Sequence, residues 1–241
     1  MTTRQGPPSY LRLVVFNADG RLHKLAHEAD LFMSHHNIDA LLVPDSGHDS
    51  ENIFAAFGDT RDSKARNRVF FTANRAARWS CAIVVRSHLP CSDAVLSDES
   101  GRALAVDVLA SARGTRVHRL IALYQPPGLD DAPPDPAIPF NRRSTGTLTG
   151  LQLRGEAERL RQVVSGWSSG GAVLRSYLGA DANETVCGPW DRARTAAQLP
   201  GRLHHGTIHG MIDYDGWGDV YGLLHPVPDE ISVADTRGHL L

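Results

Sequence analysis

The sequence predicts an α/β protein with mixed strand directions, and three stretches carry that reading. The chain opens strand–helix–strand. Its middle reads as hairpin-linked strands. A late helix then leads into an apolar strand, Val173 to Asn183 (VLRSYLGADAN), that ends in small and polar residues. Alternate residues of an extended segment point to one side, so Asp181 and Asn183 face the same way at the strand exit, and Ala180 and Ala182 leave room around them. A carboxylate beside a carboxamide suits a hard cation, or a phosphate and the nucleophile that attacks it. A strand closing in an Asx turn would show the same residues.

Taken in order, the elements follow from spacing. Residues 1–10 read as a flexible tail. Leu11 to Phe16 (LRLVVF) is a β-branched strand ending at Asn17, with a turn at Asp19-Gly20. Leu22, Leu25, Ala26, Ala29, Phe32 and Met33 recur at helical spacing, which predicts a helix over Leu22 to His36, closed by Asn37. Asp39 to Val43 (DALLV) is a second strand, apolar enough to be buried on both faces. It ends at Pro44-Asp45-Ser46-Gly47, which puts an acidic residue at a strand exit, where layered folds carry chemistry. Glu51 to Phe57 supplies one or two helical turns. Val69 to Thr72, Ala82 to Val85, Ala94 to Leu96, Ala103 to Leu109 and Val117 to Tyr124 read as strands, with a hairpin turn at Ser111 to Thr115. Pro126 to Pro139 is Pro- and Asp-rich and reads as a long surface loop. Leu151 to Trp167 is an amphipathic helix. Beyond Glu184 the pattern weakens to a short helix at Asp191 to Gln198, a glycine- and histidine-rich loop at Gly201 to Gly216, and a short apolar run at Val220 to Leu224. No repeat or linker divides the chain, so 11–241 reads as one domain.

Composition narrows the function classes. The 241 residues are 41% hydrophobic and 22% charged, ordinary for a globular chain that can bury a sizeable core. A formal net charge of −2 gives no global basic field, so a nucleic-acid partner would need a local patch. The arginine clusters at Arg61 to Arg68 and Arg154 to Arg161 read as solvated faces. No apolar run approaches the roughly 20 residues that span a bilayer, which argues against a membrane partner. MTTRQGPPSY lacks the apolar core of a secretory signal. Cys81, Cys91 and Cys187 have no metal-ligand spacing and leave one over, which points to a reducing, intracellular compartment. His204, His205 and His209 sit among glycines and read as a solvated loop.

Four strand exits thus carry Asn17, Asp45, Tyr124 and the pair Asp181/Asn183. Their order resembles the endonuclease/exonuclease/phosphatase superfamily, the DNase I-like fold. LRLVVFNADG is similar to the family's opening strand ending in Asn. IDALLVPDS stands where a strand ending in Gln-Glu is usual. ALYQPPG resembles its Tyr-x-Pro strand end, and Ala180-Asp181-Ala182-Asn183 resembles its Gly-Asp-x-Asn signature. Asp219 to Pro226 (DVYGLLHP) resembles an element of members joined to reverse transcriptases. The resemblance covers residues 11 to 226. It implies an α/β fold of two packed mixed β-sheets flanked by helices, a four-layer α/β/β/α sandwich, here incomplete at its C-terminus with its last strands missing.

The resemblance also implies chemistry. It points to a Mg²⁺-dependent phosphodiester hydrolase acting on DNA, with Mn²⁺ as an alternative ion. The type would be the endonuclease of non-LTR retrotransposons or an apurinic-site endonuclease, nuclear if the source is eukaryotic, with a reverse transcriptase region encoded downstream as partner. Asp45 would stand in place of the metal-binding Glu, and Asn17 would help position the metal. Asp181 would orient or deprotonate the attacking water, Asn183 would hold a phosphate oxygen, and Tyr124 would bond the phosphate or stabilise the leaving group. Departures from the pattern are Asp45 for Glu, Ala180 for Gly with Gly179 one place earlier, and Ala182 for a bulkier residue. The closing Arg-Ile-Asp strand and Ser-Asp-His are not recognised; Asp235 and His239 offer the residue types at another spacing. The alternative is therefore a truncated or degenerate, non-catalytic copy that keeps the fold.

Overall fold

The structure is a computed structural model that describes residues 11–47, 51–58, 66–72, 80–109, 117–125, 139–142, 146–170, 172–181, 215 and 217, with the backbone alone for 51, 139–142 and 146–150. Asn183, Asp191 to Gln198, Asp219 to Pro226 and His239 lie outside these residues.

β1 (Leu13–Val15), α1 (Leu22–His35) and β2 (Ala40–Val43) form the opening unit. β1 and β2 are parallel, with Val15 opposite Leu42; a parallel pair needs a crossover, and α1 is that crossover. α2 (Glu51–Phe57), β3 (Asn67–Phe71) and β4 (Ala82–Arg86) follow. The first sheet runs β1-β2-β4-β3, with β4 antiparallel to both neighbours. β5 (Cys91–Ser97), β6 (Ala103–Leu109) and β7 (Val117–Tyr124) are successive antiparallel strands. After the hairpin β8 (Pro139–Arg142) and β9 (Gly146–Thr149) and the helix α3 (Gly150–Ser168), β10 (Val173–Asp181) returns parallel to β7. The second sheet is β10-β7-β6-β5.

Two apolar clusters explain the layers. Leu41, Val43, Val69, Ala82 and Val84 on one face of the first sheet pack against Leu22, Ala26 and Met33 of α1 and Ile53 and Phe57 of α2. The opposite face, Ala40, Leu42, Ile83 and Val85, meets Leu104, Val106, Val108, Leu120, Ala122 and Tyr124 of the second sheet. β2 lies between these layers with all four residues buried, as its uninterrupted apolar run predicts. Two packed mixed sheets, with α1 and α2 on the outer face of the first, are the layering that the sequence implies. The two sheets are in close contact at Gly179. A Cβ there would lie 2.7 Å from Val15 Cγ2 and 2.9 Å from Leu42 Cβ, so no other residue fits without displacing a strand.

At the edge away from β2's exit, buried Asp30 of α1 ties α1 to the first sheet. It pairs with Arg66 at 2.8 Å and Arg86 at 3.6 Å, and accepts a bond from Asn67 Nδ2 at 2.9 Å. Arg86 also donates to Asn67 Oδ1 (2.9 Å), Ser34 Oγ (3.1 Å) and the Ile38 carbonyl (3.2 Å). A buried charge is tolerated only with such compensation.

The chain forms two compact units. Met1–Tyr124 with Gly166–Asp181 contains both sheets, α1 and α2; Gln125–Ser165 with Ala182–Leu241 is the other. Within the latter, Arg161 Nη1 and Ser165 Oγ of α3 bond the Asp215 carboxylate at 2.7 and 2.5 Å. Leu153, Ala157, Leu160 and Val164 are the buried stripe of α3, at the three- and four-residue spacing that predicts the helix. β8 and β9 are elements that the sequence reading did not include, and Pro139, placed at the end of a loop, begins a strand.

Candidate functional site

The candidate site lies where β1, β2, β7 and β10 end. Asn17, two residues past β1, donates from Nδ2 to Asp181 Oδ2 at 2.7 Å. This bond crosses from the first sheet to the second. The other end of the carboxamide is fixed locally, because Asn17 Oδ1 accepts the Asp19 N–H at 2.8 Å. This Asx turn sets which amide atom faces Asp181. Asp181 stands opposite Tyr124 in the β10–β7 register, so the two side chains share one face, the face on which Tyr124 meets the first sheet.

Asp45 is positioned by backbone. Its φ of 50° is left-handed, a conformation that Asp tolerates better than most residues. Its carbonyl accepts the Gly20 N–H at 2.8 Å, and the Ser46 carbonyl accepts the Leu22 N–H at 3.2 Å. Ser46 is anchored in turn, its N–H and Oγ both donating to the Ser80 carbonyl at 2.7 and 2.8 Å. Gly47, at φ 76°, presses on the Gly20 carbonyl, where a Cβ would come within 2.3 Å. The turns after β1 and β2 are thus locked backbone to backbone.

Tyr124 is almost fully buried. Burial, then Asp45, push its hydroxyl up to about 12, with Asp181 and Asp19 adding to the rise and Arg102 opposing it. The phenol is therefore neutral at physiological pH and available as a hydrogen-bond donor. Arg102 lies against it, with the guanidinium carbon 5.3 Å from the ring centroid. The Arg102 carbonyl accepts the Tyr124 N–H at 2.8 Å and the Cys81 Sγ–H at 3.1 Å. Burial drives the Cys81 thiol up to about 12, which makes it an inert packing group rather than a nucleophile.

Asn17, Asp45, Tyr124 and Asp181 therefore belong to one edge of the sandwich, as their strand-exit positions predict. Asn183 is outside the described residues. Two neighbours escaped the sequence reading. Asp19 stands two places after Asn17, the same spacing that singled out Asp181 and Asn183, and that signal could have found it. Arg102 has no such local signal, since it reaches Tyr124 only through the β6–β7 pairing.

Among the described residues no group of three or more His, Cys, Asp or Glu side chains is arranged to hold a metal ion. The donors at the edge are carboxylate and carboxamide oxygens. Mg²⁺ commonly takes one or two protein carboxylates and keeps water and substrate oxygens for the rest, so this donor set fits Mg²⁺ or Mn²⁺ in kind. Asn17 Oδ1 is turned to the Asp19 N–H, which leaves the holding of a cation first to carboxylates.

No protein-family model matches the sequence, and no curated protein does. Among solved structures, the chain is similar to the endonuclease domain of TRAS1, a telomere-specific non-LTR retrotransposon, at 14% identity and TM-score 0.39, over 73% of this chain and 61% of that one. It is similar to the AP endonuclease LMAP from Leishmania major at 14% identity and TM-score 0.47, over 73% of this chain and 56% of that one. It is also similar to D. rerio TDP2 complexed with single strand DNA product, at 13% identity and TM-score 0.46, over 80% of this chain and 67% of that one. This chain spans less than two thirds of the first two.

Proposed function

We propose that this two-sheet DNase I-like sandwich is a divalent-metal-dependent phosphodiester hydrolase acting on DNA. The observation that carries the reading is the bond from Asn17 to Asp181, which joins the exits of two strands from two sheets into one polar constellation. The order of motifs over residues 11 to 226 supports it. In-line attack on a phosphodiester needs an activated water, charge neutralisation on the equatorial oxygens and help for the leaving oxygen. Asp181 orients the water and takes its proton, with Asn17 holding one carboxylate oxygen so that the other is aimed. The neutral Tyr124 hydroxyl donates to the phosphate or to the leaving oxygen. Asp45, with Asn17 nearby, would hold Mg²⁺ or Mn²⁺, which when bound supplies charge neutralisation at the phosphate. Asn183 would hold a phosphate oxygen.

Within this class the sequence resemblance favours the endonuclease of a non-LTR retrotransposon over an apurinic-site enzyme. That subtype brings with it a reverse transcriptase region as partner, and a nuclear site of action in a eukaryote.

The test is nicking of supercoiled plasmid by the purified chain in Mg²⁺ and in EDTA, beside Asp181→Ala. Mg²⁺-dependent nicking that disappears in Asp181→Ala is the expected result. A folded chain that nicks no more than Asp181→Ala does would overturn the reading in favour of a non-catalytic copy.

A further inference from the structure

Arginine is rarely buried to the depth of Arg102, which is 5% exposed. The residue closes the turn that Gly101, at φ 78°, feeds into β6. Leu104, Val106 and Val108 of β6 face the first sheet, and strand alternation puts Arg102 on that same side. From there it holds Tyr124 twice. Its guanidinium carbon is 5.3 Å from the centre of the phenol ring, within the range at which a cation is attracted to the face of a ring. Its carbonyl accepts the Tyr124 N–H at 2.8 Å. The same carbonyl takes the Cys81 thiol from the first sheet at 3.1 Å, so the support of Tyr124 is itself tied across the sandwich.

We propose that Arg102 is a positioning residue for Tyr124, fixing the phenol by its ring face and by its backbone so that the hydroxyl is held at the site edge. The proposal rests on the reading of Tyr124 as the hydroxyl donor to the phosphate. A hydroxyl displaced by even an ångström loses most of its value in a transition state. In this role Arg102 acts on the site through Tyr124 rather than on the substrate.

The experiment has one arm that needs no catalysis. The full chain is labelled with fluorotyrosine, and the Tyr124 fluorine resonance is assigned by its loss in Tyr124→Phe. In Arg102→Met it is expected to shift and broaden while the other tyrosine resonances stay in place, and Arg102→Lys is expected to bring it back towards the parent. Arg102→Gln, neutral and planar, gives the same comparison if the Met chain does not fold. A Tyr124 resonance unchanged by loss of the charge overturns the proposal. In the second arm, Arg102→Met is expected to lower kcat for plasmid nicking by about 100-fold with little change in KM, and to cost nothing further in a Tyr124→Phe chain. Equal losses in both backgrounds overturn it. A parent chain that does not nick overturns the hydrolase reading instead, and the fluorine spectra then decide the role of Arg102.

Discussion

Asn17 and Asp181 lie 164 residues apart in the chain, yet their side chains meet at 2.7 Å. The bond has a donor with one role, because the other amide atom is engaged by the Asp19 N–H. A hydrogen bond to a charged group contributes about 1.5–3 kcal/mol. Asn17→Ala is therefore expected to lower stability by up to about that amount, read as a fall in the urea midpoint, and to lower kcat for plasmid nicking by about 10- to 100-fold. Asn17→Asp should be worse than Ala, because it places a second carboxylate against Asp181. Steady-state nicking by the two variants checks both statements, and an Asp variant as active as the parent would contradict them.

Gly179 tests the sheet-to-sheet contact. Gly179→Ala brings a methyl to 2.7 Å from Val15 Cγ2. Overpacking of this kind costs about 1–3 kcal/mol. The urea midpoint should fall by that free energy divided by an unchanged slope, and nicking should fall more than stability does, since Asp181 is two residues along the same strand.

Asp30 tests the opposite edge. Asp30→Ala leaves Arg86 facing Asn67 without its carboxylate. Removing one member of a buried ion pair costs about 3–5 kcal/mol. Equilibrium unfolding should show this loss in Asp30→Ala, and Arg86→Met paired with Asp30→Ala should recover part of it. A double variant no more stable than Asp30→Ala would contradict the buried-charge explanation.

Tyr124 makes a pH prediction. Its hydroxyl is raised from about 10 to about 12, so it binds its proton more tightly in the folded chain than in the unfolded one. The stability that follows is fully present below pH 10 and is lost as pH rises through about 12. Tyr124→Phe lacks this loss. Between these limits the stability of the parent should fall relative to Tyr124→Phe, and denaturant midpoints measured across the window check it.

The sandwich was legible because its signals are local. The Leu22 to Met33 spacing fixes α1, and the apolar run of β2 states that both its faces are covered. The strand exits were legible for the same reason, since a polar residue directly after an apolar run marks an edge. β8 and β9 were not, because PFNR and GTLT contain neither an apolar alternation nor a β-branched run long enough to separate them from loop. Arg102 was hidden for a different reason. Its partner is set by antiparallel register between β6 and β7, and no window along the chain contains both. The left-handed φ of Asp45 was hidden by its context, because Pro-Asp-Ser-Gly predicts a turn without saying which residue bears the unusual backbone.

The contact between Gly20 and Gly47 limits how these loops can diverge. With the carbonyl of one turn seated where a Cβ of the other would be, at 2.3 Å, neither turn can grow or shrink by a residue unless the other changes with it. Insertions and deletions in related chains are then expected to be rare between β1 and α1 and in the four residues after β2. Loop length at these two places becomes a simple marker of which relatives keep the edge that carries Asn17 and Asp45.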